Sequence, residues 1–331
     1  PTAPRVIDQL KHSARKSVII KGPKTASGAK LAWLRYPAAT GHRHAWTSRT
    51  TGSTVAEECA VREGRNIMSF RIISGTLLIG LLVGGAATAA ELCQGFGPQT
   101  PRDIASTAGS NSQIFPPAPA ASQMNLCNIH THTNAEHKGP GFSVSAGSGE
   151  HGGFRCNESD SLTAAELEDP SNGHGAFHGI KPGDTIEVHW VHTSCAVSPG
   201  KGLGSCLGET CANPTLRVET QVFLVVNDPE ALDFADFTYA GNMVAGRHQA
   251  RSLPSGTGEP VVFAGSTTGP KYTQQVCSPL QVTWSVRPQC ARVDVSSLYK
   301  WAADGNVFQE DHSHGVRQLV TAPELLAPIT K

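Results

Sequence analysis

Charge is scarce in this chain of 331 residues: Asp, Glu, Lys and Arg together make up 16%, and 27 basic side chains balance 27 acidic ones to a formal net charge of zero. The Lys and Arg residues form no dense patch, which sets aside electrostatic capture of nucleic acid. Helical periodicity is weak, and a helical bundle is the poorer description for that reason. No internal repeat appears. A Cys-x-x-Cys knuckle is missing, since Cys206 and Cys211 stand five apart, so a thiolate zinc site is the weaker use of the cysteines. Glycine (34) and proline (22) are plentiful in a chain that is 39% hydrophobic. Both residues punctuate strands and turns, and the mix suits a loop-rich β protein.

Methionine is absent from residues 1–67, which also show no sustained period of 2 or 3.6. From Met68 to Ala90 the chain carries Arg71, an apolar run from Ile72 to Val83 and the small-residue ending Ala87-Thr88-Ala89. That order reads as a secretory signal, with a buried core helix as the lesser alternative; the run is too short to span a membrane. A signal works only at an N-terminus. Residues 1–67 are therefore expected to be a disordered upstream extension from a wrong start choice, residues 68–90 the signal peptide, and residues 91–331 the mature domain. The expected location is secreted or periplasmic, without membrane attachment after cleavage. Cys59 precedes the signal, leaving Cys93, Cys127, Cys156, Cys195, Cys206, Cys211, Cys277 and Cys290. Eight cysteines in a secreted chain allow up to four disulfides, whose connectivity the sequence does not reveal.

Residues 91–125 read as an extended arm with turns. Beyond them, short runs bounded by Gly, Pro and Asn place candidate strands at 128–134, 185–192, 216–226, 261–264, 281–287 and 318–321, with short helical turns at 163–167 and 296–302. The span reads as one β domain with long connections.

Two of these strands carry chemistry. In a strand, residues i and i+2 face the same way, about 6.6 Å apart. His130 and His132 can thus converge on one ion. His189 sits on a strand whose one face is Ile186, Val188 and Trp190 and whose other is Glu187, His189 and Val191. Taken alone, the His130/His132 pair is as well read as two surface histidines; His189 with Glu187 two residues before it turns the balance to a three-histidine zinc site with one open position. Zinc on three neutral imidazoles keeps its charge and supplies hydroxide at neutral pH by lowering the pKa of a bound water to ~7. Glu187 is the natural acceptor for the second ring nitrogen of His189. Cobalt or cadmium fits the same ligands.

These residues also carry a resemblance. His130-Thr131-His132, then Glu136-His137, then the run 187–192 (EVHWVH) resemble the zinc strands of the α-class carbonic anhydrases in the same order, and AGSTTG at 264–269 resembles their threonine loop. The fuller match is to the δ-class carbonic anhydrases: CQGFGPQTPRD at 93–103, NIHTHTNAEHK at 128–138 and CSPLQVTW at 277–284 are similar to that family across essentially all of residues 91–322. The resemblance implies a mainly β fold, an α-carbonic-anhydrase-like mixed sheet with long loops and few short helices in a single domain. It implies a lyase that reversibly hydrates CO2 to bicarbonate and a proton through zinc-bound hydroxide, with His130, His132 and His189 as ligands. Glu187 is then the partner of His189, and Glu136 the glutamate that accepts from an orienting threonine, Thr267 or Thr268. Glu150 offers a second Glu-His pair after a longer loop, and Thr273 stays open because the stretch 266–282 is long.

A proton must also leave, and a histidine near its ordinary pKa suits that task. His137 and His192 are the foremost candidates, with His151, His174 and His178 behind them. A further His-x-His at 312–314 could be a rival or additional metal site, but it lies in a Gly/Asp-rich context without a Glu-x-His strand attached and reads as a surface loop. A small-ester zinc hydrolase and a non-catalytic metal-binding β module remain the competing functions. Oligomeric state is not readable.

Overall fold

In the computed structural model the described residues are 93, 95–113 and 115–330. The expectations for residues 1–67 and 68–90 lie outside them. Among the described residues there are ten strands: β1 (Asn125–Thr133), β2 (Val144–Ser145), β3 (Phe154–Arg155), β4 (Thr185–Thr193), β5 (Leu216–Val226), β6 (Met243–Val244), β7 (Arg247–His248), β8 (Val261–Ser266), β9 (Gln281–Val286) and β10 (Ala291–Asp294). The single α-helix among the described residues is α1 (Val295–Ala303). Six strands form one mixed sheet in the order β1-β4-β5-β9-β8, with β10 also paired to β5. β4 is antiparallel to both β1 and β5, whereas β9 and β10 lie parallel to β5, at its first and second halves.

Every residue of β4 is buried, because apolar layers cover both faces of the sheet. One layer gathers Val191, Val218, Val222, Phe263, Val282 and Trp284 on the face shared with Glu187 and His189. The opposite layer holds Ile129, Ile186, Val188, Trp190 and Phe223, and α1 contributes Val295, Leu298 and Trp301 to it. Their three-residue spacing is one stripe of a helix, which is why this short segment is helical and not a seventh strand. Trp190 also donates from Nε1 to the Phe237 carbonyl at 2.7 Å, so its polar atom is satisfied inside the core.

The arm lies across β8. A Cβ on Gly265 would stand 1.8 Å from Thr100 Oγ1, and that same hydroxyl accepts from the Ser266 N–H at 3.1 Å. Only glycine permits this approach. Four disulfides supply the connectivity that the sequence withheld: Cys93–Cys277, Cys127–Cys206, Cys156–Cys290 and Cys195–Cys211.

Four of the expected strands agree with the structure to within a few residues, and 216–226 coincides with β5. The run 318–321 is a correction. It is extended but unpaired: Val320 donates to the lone Pro101 carbonyl and Thr321 to the Gln274 side chain. Val320 is buried against Cys277, Leu325 and Leu326, so its apolar character serves a small local core and not a ladder.

Candidate metal centre

The β1/β4 register decides the site. His130 stands opposite His189, and His132 opposite Glu187, so the period of two on each strand brings three imidazoles onto one face. Ring centroids are 5.1 Å apart for His130 and His132, 5.0 Å for His130 and His189, and 4.7 Å for His132 and His189. One ring nitrogen from each lies within 4.8 Å of the others, a grouping able to hold a metal ion.

Which nitrogen faces the centre follows from the partners of the other one. Asn128 Nδ2 donates to the Gly200 carbonyl at 3.0 Å, which turns its Oδ1 toward His130 Nδ1 at 2.6 Å. His132 Nδ1 meets the Gly315 carbonyl at 3.0 Å, and His189 Nε2 meets Glu187 Oε1 at 3.2 Å. Each partner can only accept, so each of those nitrogens carries the proton. The free lone pairs are then Nε2 of His130, Nε2 of His132 and Nδ1 of His189. Burial drives all three rings to the neutral form: it lowers the pKa of His132 to about 4, that of His130 well below its ordinary value with help from His189 and His132, and it lowers that of His189 too. Nε2 of His132 is buried without any hydrogen-bond partner.

Glu187 anchors the site from behind. Its Oε1 takes His189 Nε2 and, at 2.6 Å, His137 Nδ1; its Oε2 takes the N–H groups of Glu136 at 2.5 Å and His137 at 3.2 Å. Burial alone would raise its pKa, but the two imidazoles hold it well below the usual carboxylate range. Glu136 is also fully buried, and burial pushes its pKa up, opposed by His189; its Oε1 is buried without any hydrogen-bond partner. Thr268 lines the cavity over the histidines. The Thr267 side chain is bound instead to Ser278 Oγ at 2.5 Å. Thr273 spends its hydroxyl on the N–H groups of Gln275 and Val276, and Glu150 and His151 are exposed.

The cavity above the centre has a volume of about 510 Å³. Val191, Val218, Leu216, Val282 and Trp284 supply an apolar part of the lining, and His312, His314, Glu310 and Lys201 a polar part. Two sequence expectations are corrected here. His137 and His192 do not suit proton export: His137 is sealed against Trp284 and Glu187, and His192 is buried on the opposite sheet face with Nδ1 on the Trp190 carbonyl. The His-x-His at 312–314 is an exposed loop, as expected, but it lies beside the centre. His314 pairs through its main chain with β1 beside His132, and its ring stands 6.0 Å from that of His130.

Sequence reasoning also passed over three groups. Asn128 was legible, two residues before His130 on the same face. Gly315 and Arg317, which reach His132 and Glu136 through main-chain atoms, left no side-chain signature to find.

No curated protein matches the chain in sequence. Among solved structures it matches the complex of an alpha-carbonic anhydrase from Thermovibrio ammonificans with the inhibitor sulfanilamide, at 14% identity over 67% of this chain and 87% of that one, with a TM-score of 0.27. The family model of the delta carbonic anhydrases matches residues 121–297, which hold β1, the three histidines, Glu136, Glu187 and the threonine loop. That match covers more than half of the chain, which therefore belongs to the delta carbonic anhydrase family.

Proposed function

We propose that the chain catalyses the reversible hydration of CO2 to bicarbonate and a proton, with a zinc ion held by His130, His132 and His189. One observation carries the reading. His130 Nε2 and His189 Nδ1 are 3.3 Å apart, and the donor logic above leaves no proton between them. Two bare lone pairs at that distance repel, and a cation between them removes the conflict. Two ligand nitrogens at tetrahedral angles, each ~2.0–2.1 Å from one ion, also stand about 3.3 Å apart. Three neutral imidazoles with one position left open are the donor set of a catalytic and not a structural zinc site.

Zinc held by these residues would supply hydroxide at neutral pH by lowering the pKa of a water to ~7. The chain's own residues then orient the reaction. In this reaction the cavity-lining Thr268 hydroxyl would give its proton to the unpartnered Oε1 of Glu136, so toward the cavity its oxygen would only accept. An attacking oxygen that donates to Thr268 is left with a lone pair aimed at the substrate. The apolar lining of Val191, Val218, Val282 and Trp284 suits an uncharged, linear molecule and holds bulk water off it. The four disulfides support a secreted or periplasmic setting.

A second reading, hydrolysis of small esters by the same centre, is favoured by a cavity of about 510 Å³, far roomier than CO2 needs. Stopped-flow CO2 hydration and an ester assay on zinc-loaded protein separate the two. Hydration activity in wild type, with both zinc and activity lost in His132→Ala, is the expected result. A fully zinc-loaded wild type that gives no acceleration overturns the reading.

A further inference from the structure

Segment 310–317 closes over the free edge of β1: Thr133 donates to the His314 carbonyl at 2.9 Å and His314 to the Thr131 carbonyl at 2.8 Å. Three residues on, Arg317 is 1% exposed and is not among the groups lining the cavity. Its main-chain N–H donates to Glu136 Oε2 at 3.4 Å. Its Nη1 donates to Gln99 Oε1 at 3.0 Å and Ser266 Oγ at 3.4 Å, and its Nη2 to the Thr273 carbonyl at 2.6 Å. Ser266 and Thr273 bracket the loop that carries Thr268. One residue therefore grips the carboxylate that Thr268 must meet and both ends of the loop that presents it.

We infer that Arg317 is a positioning residue that fixes the Thr268 loop relative to the Glu136 carboxylate. The planar guanidinium fork reaches two separate stretches of chain at once, which an ammonium on a flexible stem does not do in a fixed geometry. Fold stability alone does not account for it. Arg317 Nε is buried with no partner, so the side chain carries a desolvation cost that a well-packed apolar residue would avoid.

The inference rests on the proposed hydration chemistry, and a double-mutant cycle tests it separately. Arg317→Met, Arg317→Lys, Thr268→Ala and the Arg317→Met/Thr268→Ala pair are made in the full chain. Thermal unfolding, zinc content and kcat/KM for CO2 hydration across the neutral and alkaline range are measured for each. Arg317→Met is expected to keep its zinc and lower kcat/KM on the order of 100-fold, since a misplacement near 1 Å has that effect. Arg317→Lys recovers part of the loss. In the Thr268→Ala background the same substitution changes kcat/KM by less than about twofold, because groups acting as a unit are not additive. Losses that multiply, or an Arg317→Met variant with wild-type kcat/KM, overturn the inference. So does loss of zinc or of the cooperative transition in both Arg317 variants, which assigns the residue to the scaffold. An inactive wild type overturns the hydration reading itself, whereas an active wild type with uncoupled variants overturns only the role of Arg317.

Discussion

Replacing Glu187 by Gln keeps the shape of the side chain and removes its charge, and the structure limits what can follow. The carboxylate receives four contacts: two from imidazoles at Oε1 and two from main-chain N–H groups at Oε2. An amide has one acceptor oxygen and one NH2 group, so one pair must face a donor. If the NH2 faces the N–H groups of Glu136 and His137, two buried donors lose their acceptor, at about 1–3 kcal/mol each. If it faces the rings, His189 must accept at Nε2 and carry its proton on Nδ1, the atom turned toward the metal. Zinc affinity then drops; removing such an outer partner typically weakens binding 10–100-fold, about 1.4–2.7 kcal/mol. Either way the variant is worse, in stability or in metal affinity. Thermal unfolding of the metal-free protein reads the first branch, and competition with a zinc chelator reads the second. A Glu187→Gln protein with wild-type values in both assays would refute the assignment of Glu187 as the anchor.

The remaining expectations are shorter. Thr268→Ala lowers kcat/KM on the order of 100-fold, as for loss of one positioned hydrogen bond in a transition state, whereas Thr267→Ala stays within about threefold because its hydroxyl serves Ser278. The reverse pattern would move the orienting role to Thr267. His192 is buried and neutral, its pKa lowered from 6.5 to about 4 by desolvation. The unfolded chain takes up this proton below pH 6.5 and the folded chain does not, so stability is full above 6.5 and declines as the pH falls toward 4, by roughly 3 kcal/mol from this group. Urea unfolding at several pH values checks it: His192→Gln should flatten the slope, and an unchanged slope contradicts the assignment to His192. Cys156 and Cys290 close a loop spanning 134 residues, and replacing both by serine is expected to cost about 2–5 kcal/mol, visible by calorimetry; an unaltered Tm would show that the link contributes nothing.

What could be read from the amino acids was what repeats locally. The pleat period put His130 with His132 and Glu187 with His189, and the antiparallel register then brought the pairs together. Burial is not a local property, so His137 and His192 looked as available for proton traffic as any other imidazole. The four residues of β10 were too few to show alternation and exist as a strand through parallel pairing with β5. Leu319 and Val320 have strand-like character but sit in a stretch with no neighbouring edge to join. Least legible of all was segment 310–317. Its contribution comes through the Gly315 carbonyl, the Arg317 N–H and the Glu310 carboxylate on the Thr131 N–H at 2.8 Å. Two of those three are atoms that every residue possesses, and only the closure of a distant chain end makes them matter.

That closure has a kinetic side. The centre draws on β1, β4, the threonine loop and Arg317, and the contact between Arg317 and Gln99 spans 218 residues. Strand β5, in the middle of the sheet, acquires its parallel neighbours from chain made much later. Such long-range pairing is slow, because large loops must close before their contacts give anything back. The three histidines on β1 and β4 can meet early, but the Gly315 carbonyl that fixes His132 and the clamp around Thr268 arrive only with the last segment. On the proposed function, both the ring that Gly315 fixes and the loop that Arg317 grips wait on segment 310–317, so the three histidines alone are not the finished site.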